Sequence, residues 1–99
     1  SPLTVDTYLV TIPAQGAYLL GEDLRVTVRA PIAHALSDQL CVLNPVGTTE
    51  CQGVPSGPLN VLLVRPKCQP GVYTLQYRVG TAIKDAASFA AVASAMCQL

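Results

Sequence analysis

The chain has 99 residues, six basic and six acidic side chains and a formal net charge of zero, and 51% of its residues are hydrophobic. Proteins hold the phosphates of nucleic acids with clustered Lys and Arg, and the basic residues here are scattered, so no nucleic-acid partner is expected. A chain of this length is expected to form one domain over residues 1–99, with a small core that depends on covalent cross-links.

The first expected element, a strand over residues 4–12, is followed by a second strand over residues 23–30. The second has the clearest alternation in the chain: Leu24, Val26 and Val28 face a core, and the residues between them face water. Further strands are expected at residues 39–43, 59–64 and 72–79, where Tyr73 and Tyr77 belong to a second buried row. Short strands separated by regular Gly and Pro turns predict an all-β sandwich of antiparallel strands.

Two stretches in the middle of the chain lack alternation. Residues 41–58 are rich in Gly and Pro and are expected to form a long loop. The run from Val61 to Val64 is apolar at each position, which favours a strand that is buried on both faces.

The segment after Asp85 allows two interpretations. Its alanines favour a helix capped by Asp85, with Phe89, Val92 and Met96 on one face. A helix would give an α+β fold, in which a C-terminal helix accompanies an antiparallel sheet. We favour a final strand over residues 87–95 for a reason that comes from the cysteines.

Four cysteines in a chain of this size, without the close pairs of a zinc site, predict two disulfides. A hairpin that turns at about residues 82–83 would place Cys68 directly opposite Cys97. The other bridge would then join Cys41 to Cys51 and close the loop between them. No metal and no cofactor are predicted, because a single histidine, His34, is a poor complement to these thiols.

The cysteines and the start of the chain also predict where the protein is found. Disulfides persist in oxidising compartments, and the chain begins at Ser1 without an initiator methionine. Its first ten residues lack the basic start of a signal peptide. We therefore expect a secreted, extracellular product from which the signal peptide has been removed.

Two segments resemble immunoglobulin-like domains. Residues 13–28, with Pro13, Gly16 and Gly21 before an alternating strand, resemble their first hairpin. The run Gly71-Val72-Tyr73 resembles the Gly-x-Tyr corner at the start of their sixth strand. The chain has no Trp and has Leu75 where antibody domains place a cysteine, so the resemblance is to the wider class. It implies an immunoglobulin-like sandwich and leaves the function open.

The chain as a whole resembles the zygocin-like, virus-encoded killer toxins of yeast. The resemblance rests on its size, the Ser1 terminus, the use of cysteine, the absence of an N-glycosylation acceptor and the region of residues 84–99. It implies binding to a cell-wall glycoprotein, then disruption of the plasma membrane of competing yeasts. No individual residue of that family can be matched to a position in this chain.

No catalytic residue is predicted. His34 could join Ser37 or Ser56 and Asp38 or Asp23 in a hydrolase triad, but the sequence has no Gly-x-Ser-x-Gly nucleophile elbow. We interpret His34 as a loop histidine and expect a protein that is not an enzyme.

The leading functional hypothesis is a secreted toxin that perturbs the plasma membrane of fungal cells. Its membrane-active residues would be Ile83, Phe89, Val92 and Met96, and insertion would depend on apolar area and on homo-oligomers at the membrane. The alternative is an immunoglobulin-like binding or adhesion module that recognises wall carbohydrate or protein through residues 41–58.

Overall fold

The structure, a computed structural model, describes residues 7–94 and Cys97. Over these residues it is all-β, with two sheets packed together and two disulfides, which confirms the predicted sandwich. The strands are β1 (Leu9–Thr11), β2 (Tyr18–Leu19), β3 (Leu24–Arg29), β4 (Gln39–Leu43), β5 (Thr49–Gly53), β6 (Leu59–Val64), β7 (Gly71–Val79) and β8 (Ala82–Val92).

The strands are divided between a three-stranded and a five-stranded sheet. The first sheet has the order β1-β3-β6, and the second has the order β2-β8-β7-β4-β5. All pairs are antiparallel except β2 with β8, where Tyr18 lies beside Ala91 in a parallel ladder. This short parallel pair lies at the edge of an otherwise antiparallel sandwich, where β2 joins β8.

The core lies between the sheets and contains the residues that alternation predicted. Leu24, Val26 and Val28 are buried on β3, and Tyr73 and Tyr77 are fully buried on β7. The residues between them point outward, as the period of two requires. The sequence therefore identified the inner faces of these two strands correctly.

The predicted tyrosine corner is present at the start of β7. The Tyr73 hydroxyl lies 2.7 Å from the Gln69 carbonyl oxygen and 3.0 Å from that of Lys67. Burial raises the pKa of this phenol. Gly71 has a φ of +140°, and a Cβ there would lie 2.9 Å from the Cβ of Pro45, so a glycine is required.

Both predicted disulfides are confirmed. Cys41 and Cys51 are cross-strand partners on β4 and β5, with Cα atoms 4.0 Å apart. Cys68 and Cys97 have Cα atoms 5.1 Å apart.

The register that suggested the second bridge is wrong. The hairpin between β7 and β8 turns at Gly80 and Thr81, and Gly71 pairs with Ala91. Cys97 pairs instead with Ser94 in an isolated antiparallel bridge, and its N–H donates to the Ser94 carbonyl at 3.1 Å. This local pairing brings Cys97 within reach of Cys68.

Three expectations about elements are corrected or limited. Residues 41–58 are not one loop, because β5 pairs with β4 in a hairpin that Asn44 closes by donating from Nδ2 to the Thr48 hydroxyl at 2.6 Å. Of the two interpretations of the segment after Asp85, the helix is wrong and the favoured strand is present: β8 pairs with β7 along its length, and that pairing overrides the helix propensity of alanine. The expected strands at residues 4–12 and 87–95 extend into residues 4–6 and 95, which lie outside the described residues.

Candidate functional site

The residues predicted to act on membranes do not form one stripe. Phe89 is 5% exposed, and its ring is stacked on that of Tyr73 with centroids 5.5 Å apart. The Tyr18 ring is tilted against it at 5.1 Å. Phe89 is therefore part of the aromatic core between the sheets.

Ile83 and Val92 are placed differently from Phe89. Both lie on β8 with about half of their surface accessible, 53% for Ile83 and 48% for Val92. The helical grouping of Phe89 with Val92 is wrong, because residues three apart on a strand point to opposite faces. Met96 lies outside the described residues.

His34 lies in the loop between β3 and β4, as expected, but its side chain points inward. Its side chain is fully buried, and its two ring nitrogens lie 3.1 Å from the carbonyl oxygens of Ala35 and Gly57. Its Nδ1 is 3.7 Å from Oδ2 of Asp38, a carboxylate that is 1% exposed. Both nitrogens thus face backbone carbonyls, an arrangement that ties the turn before β4 to the turn before β6.

The Asp38 carboxylate is hydrogen-bonded to a core tyrosine and not to a serine. Its Oδ2 accepts a hydrogen bond from the Tyr77 hydroxyl at 2.7 Å, and its Oδ1 has no hydrogen-bond partner among the described residues. Burial first, and then the neighbouring carboxylate, raise the pKa of Tyr77. Of the residues considered for a hydrolase triad, the structure brings His34 and Asp38 together. Among the described side chains, neither of the two forms a hydrogen bond to Ser37 or Ser56.

A surface that the sequence did not predict lies on the outer side of the first sheet. Leu59, Val61 and Leu63 on β6 are 54%, 57% and 55% exposed. The expectation that this strand is buried on both faces is wrong, because β6 has the core on one side and no further layer of the described chain on the other. The sequence does not distinguish a strand with one exposed apolar face from a strand that is buried on both faces, since each kind can be apolar at all positions.

Two arginines flank this apolar row on the neighbouring strand. Arg29 is the cross-strand partner of Leu59, and Arg25 is the partner of Leu63. Both guanidinium groups are on exposed residues, and neither forms an ion pair within the described part of the chain. We call Arg25, Arg29, Leu59, Val61 and Leu63 the β3–β6 face.

A groove of about 270 Å³ borders the β3–β6 face where the edges of the two sheets meet. Gln52 on β5 crosses this border and donates from Nε2 to the Leu63 carbonyl at 3.1 Å. Lys67 and Glu50 form an ion pair in the groove wall. The groove therefore combines one apolar wall from Leu63 with charged and amide groups.

Two acidic side chains near the β3–β6 face, Asp23 and Glu50, form ion pairs. Asp23 accepts two hydrogen bonds from Arg65, from Nε at 2.9 Å and from the terminal nitrogen at 3.3 Å, and this contact lowers the pKa of Asp23. Glu50 is paired with Lys67. The face itself carries two positive charges and no carboxylate.

Within residues 7–94 and Cys97, no group of three or more His, Cys, Asp or Glu side chains is placed to hold a metal ion. No helix there is long and apolar enough to cross a membrane. Comparison of the chain with protein-family models, with curated proteins and with solved structures finds no match.

Proposed function

We propose that the protein is an extracellular, non-enzymatic binding module whose contact surface is the β3–β6 face. The observation that carries this proposal is the row of three half-exposed aliphatic side chains beside two arginines that have no ion pair within residues 7–94 and Cys97. A contiguous apolar patch with a polar rim is typical of a surface that binds another macromolecule. The partner would be a protein or carbohydrate of a cell wall.

The scaffold supports this proposal. Two disulfides in a small domain fit an extracellular protein, and the Cys41–Cys51 bridge joins β4 to β5 beside the groove. The β4–β5 hairpin, which replaces the expected loop at residues 41–58, contributes Glu50 and Gln52 to the groove. Recognition would thus involve part of residues 41–58, the region expected for a binding module, together with β6, which was expected as a strand but as a buried one.

The experiment is a binding assay on intact fungal cells and isolated cell walls with fluorescently labelled protein. A variant with Leu59, Val61 and Leu63 changed to Thr keeps strand propensity and removes the apolar row. We expect it to keep its melting temperature within a few degrees and to lose at least tenfold in binding.

The matched control is Val72→Thr, because Val72 is 58% exposed on the other sheet. This variant should bind as the parent protein does. Equal binding by the triple variant and the parent would refute the β3–β6 face as the contact surface.

The second candidate function is that of a membrane-perturbing toxin, which the resemblance to killer toxins suggests. Ile83 and Val92 favour it, since both are large apolar side chains exposed on β8. They could enter a lipid surface from the folded protein, whereas Phe89 would first have to leave the core. Oligomers would be needed to line a pore.

Dye release from liposomes distinguishes the two candidates. A toxin releases dye at low micromolar protein, and Val92→Lys prevents the release because Lys at membrane depth costs about 2.5–3.5 kcal/mol. A binding module binds cells without releasing dye. Release by the parent protein that Val92→Lys abolishes, at an unchanged melting temperature, would place the toxin first.

A further inference from the structure

The direction of the backbone groups on β6 follows from its pairing with β3. The Ala30 N–H donates to the Pro58 carbonyl at 3.1 Å, in line with the register that pairs Val28 with Asn60. Hydrogen-bonded and non-hydrogen-bonded pairs alternate in an antiparallel ladder. The residues of β6 that bond to β3 are therefore the even-numbered ones.

The backbone N–H and C=O groups of Leu59, Val61 and Leu63 consequently point away from β3, along the free edge. The Leu63 carbonyl confirms this direction, because it accepts a hydrogen bond from the Gln52 side chain of the other sheet. β6 is the last strand of the first sheet. Its edge thus presents main-chain donors and acceptors beside the apolar side chains of the same three residues, and the Leu63 carbonyl is the one of these groups that Gln52 already contacts within the described residues.

This edge lacks the features that protect edge strands. Proteins shorten such strands or place Lys, Pro, a bulge or an inward-pointing charge on them. β6 has six residues, none charged and none proline. The other edge strands differ: β1 and β2 have three and two residues, and β5 carries Glu50 and Gln52.

The positive charges of Arg25 and Arg29 beside the edge favour acidic side chains on an added strand. Strands are spaced about 4.8 Å apart, so an added strand would lie about 10 Å from β3. Arginine and glutamate side chains together span that gap. Carboxylates opposite Leu59 and Leu63 would reach Arg29 and Arg25, and an apolar side chain opposite Val61 would complete the row.

The groove between β5 and β6 accommodates the other side of an added strand. Alternate side chains of that strand would point toward the groove of about 270 Å³. The amides of Asn44 and Gln52 and the Lys67–Glu50 pair line it, which suits small polar side chains such as Thr. A second copy of this chain fits less well, because β6 offers no carboxylate to the two arginines.

We propose that β6 accepts an extended segment of a partner protein as an additional antiparallel strand, with the pattern acidic-x-apolar-x-acidic. This inference rests on the proposed binding function and names the class of partner. Main-chain hydrogen bonds would provide affinity, and the two carboxylates would provide selectivity, as in other cases of strand addition.

The test uses an acetylated, amidated peptide of sequence TETVTET and the intact 99-residue protein, followed by two-dimensional amide NMR and by fluorescence anisotropy. We expect amide shifts at Leu59, Val61 and Leu63, and at least tenfold weaker binding of the matched peptide TKTVTKT. N-methylation of the central valine should abolish binding, since its N–H would point toward β6. N-methylation of a flanking threonine, whose N–H would point away, should leave binding intact.

Charge reversal on the protein provides the second arm. The double variant Arg25→Glu, Arg29→Glu should prefer the lysine peptide, and the control Lys84→Glu on β8 should not change the preference. Equal binding of both peptides, shifts that lie elsewhere, self-association through β6, or binding to anionic vesicles in place of the peptide would each overturn the inference. If the parent protein binds cell walls but not the peptide, this inference alone is overturned. If it binds neither, the proposed function is overturned as well.

Discussion

The Tyr77 hydroxyl donates a 2.7 Å hydrogen bond to Oδ2 of Asp38, and both groups are buried between the sheets. This contact is the one hydrogen bond that the described structure gives to either oxygen of the Asp38 carboxylate. It joins β7 to the residue that precedes β4, and Nδ1 of His34 lies 3.7 Å from the same Asp38 oxygen. A buried carboxylate with a single donor makes that donor unusually important for stability.

We expect Tyr77→Phe to lower the free energy of unfolding by about 1–3 kcal/mol, because it leaves the buried carboxylate without a donor. Urea denaturation measures the change. Tyr18→Phe is the control, since the Tyr18 hydroxyl bonds to the Pro13 carbonyl at a partly buried site. Similar losses in the two variants would mean that Asp38 does not depend on Tyr77.

The same phenol predicts a dependence on alkaline pH. Burial and Asp38 raise the pKa of Tyr77 above its ordinary value of 10.0, so the unfolded chain loses this proton first. The stabilising contribution is therefore complete below about pH 10 and is lost as the pH rises beyond it. Urea midpoints measured between pH 8 and 11 should fall more steeply for the parent protein than for Tyr77→Phe, and parallel curves would contradict this assignment.

Two substitutions on β8 should have very different costs. Phe89→Ala removes a ring packed against Tyr73 and Tyr18 and should lower stability by about 3–5 kcal/mol. Val92→Lys changes a half-exposed side chain and should cost no more than about 0.5 kcal/mol. Thermal unfolding followed by circular dichroism measures both. A large loss at Val92 would mean that this position is part of the core.

The two disulfides should contribute unequally. The residues joined by Cys41–Cys51 are 10 apart in sequence, and those joined by Cys68–Cys97 are 29 apart. The chain-entropy relation gives the longer loop about 1 kcal/mol more stabilisation. Replacing each pair by alanine and measuring unfolding in guanidinium tests this, and the reverse order would show that strain or residual structure dominates.

Gly71→Ala should destabilise the fold by more than 1 kcal/mol, on the order expected for a strained backbone, because of its positive φ and the contact with Pro45. Gly16→Ala is the control, as no atom lies within 4 Å of a Cβ built there. The comparison is made by the shift in melting temperature. Equal shifts would argue against the close approach of Pro45 to β7.

His34→Ala tests whether the protein depends on acid–base catalysis. We expect cell-wall binding and biological activity within a few-fold of the parent protein, measured below the melting temperature of the variant. Some loss of stability is expected, since the imidazole contacts the Ala35 and Gly57 carbonyls from a fully buried position. A thousand-fold loss of activity at unchanged folding would indicate catalysis.

The sequence predicted best those strands in which polar and apolar side chains alternate in step with their exposure and burial. β3 has polar and apolar residues in strict alternation, so its inner face could be identified without any knowledge of its neighbours. The tyrosine corner was expected because the run Gly71-Val72-Tyr73 resembles the corner of immunoglobulin-like domains. The disulfide pairing was right although its register was wrong, since the contact between Cys97 and Ser94 is not visible in the pattern.

The candidate surface could not be predicted, for a physical reason. The side chains of Val61 and Leu62 are similarly apolar, yet one is exposed and the other buried. Which face of such a strand is covered depends on how many layers the fold has, and that is a tertiary property. β5 was missed for the opposite reason: most of its residues are polar or exposed, so it has no apolar period.

The pairing of β2 with β8 has a consequence for the order in which the chain can fold. Tyr18 and Leu19 find their partners in Ala91 and Val92, more than seventy positions later, so the second sheet stays open at this edge until nearly all of the chain is available. Closing so long a loop is entropically slow, and folds dominated by such distant pairings reach the native state late. A nascent chain that ends before β8 would leave Tyr73 without the Phe89 ring that is stacked on it in the native fold.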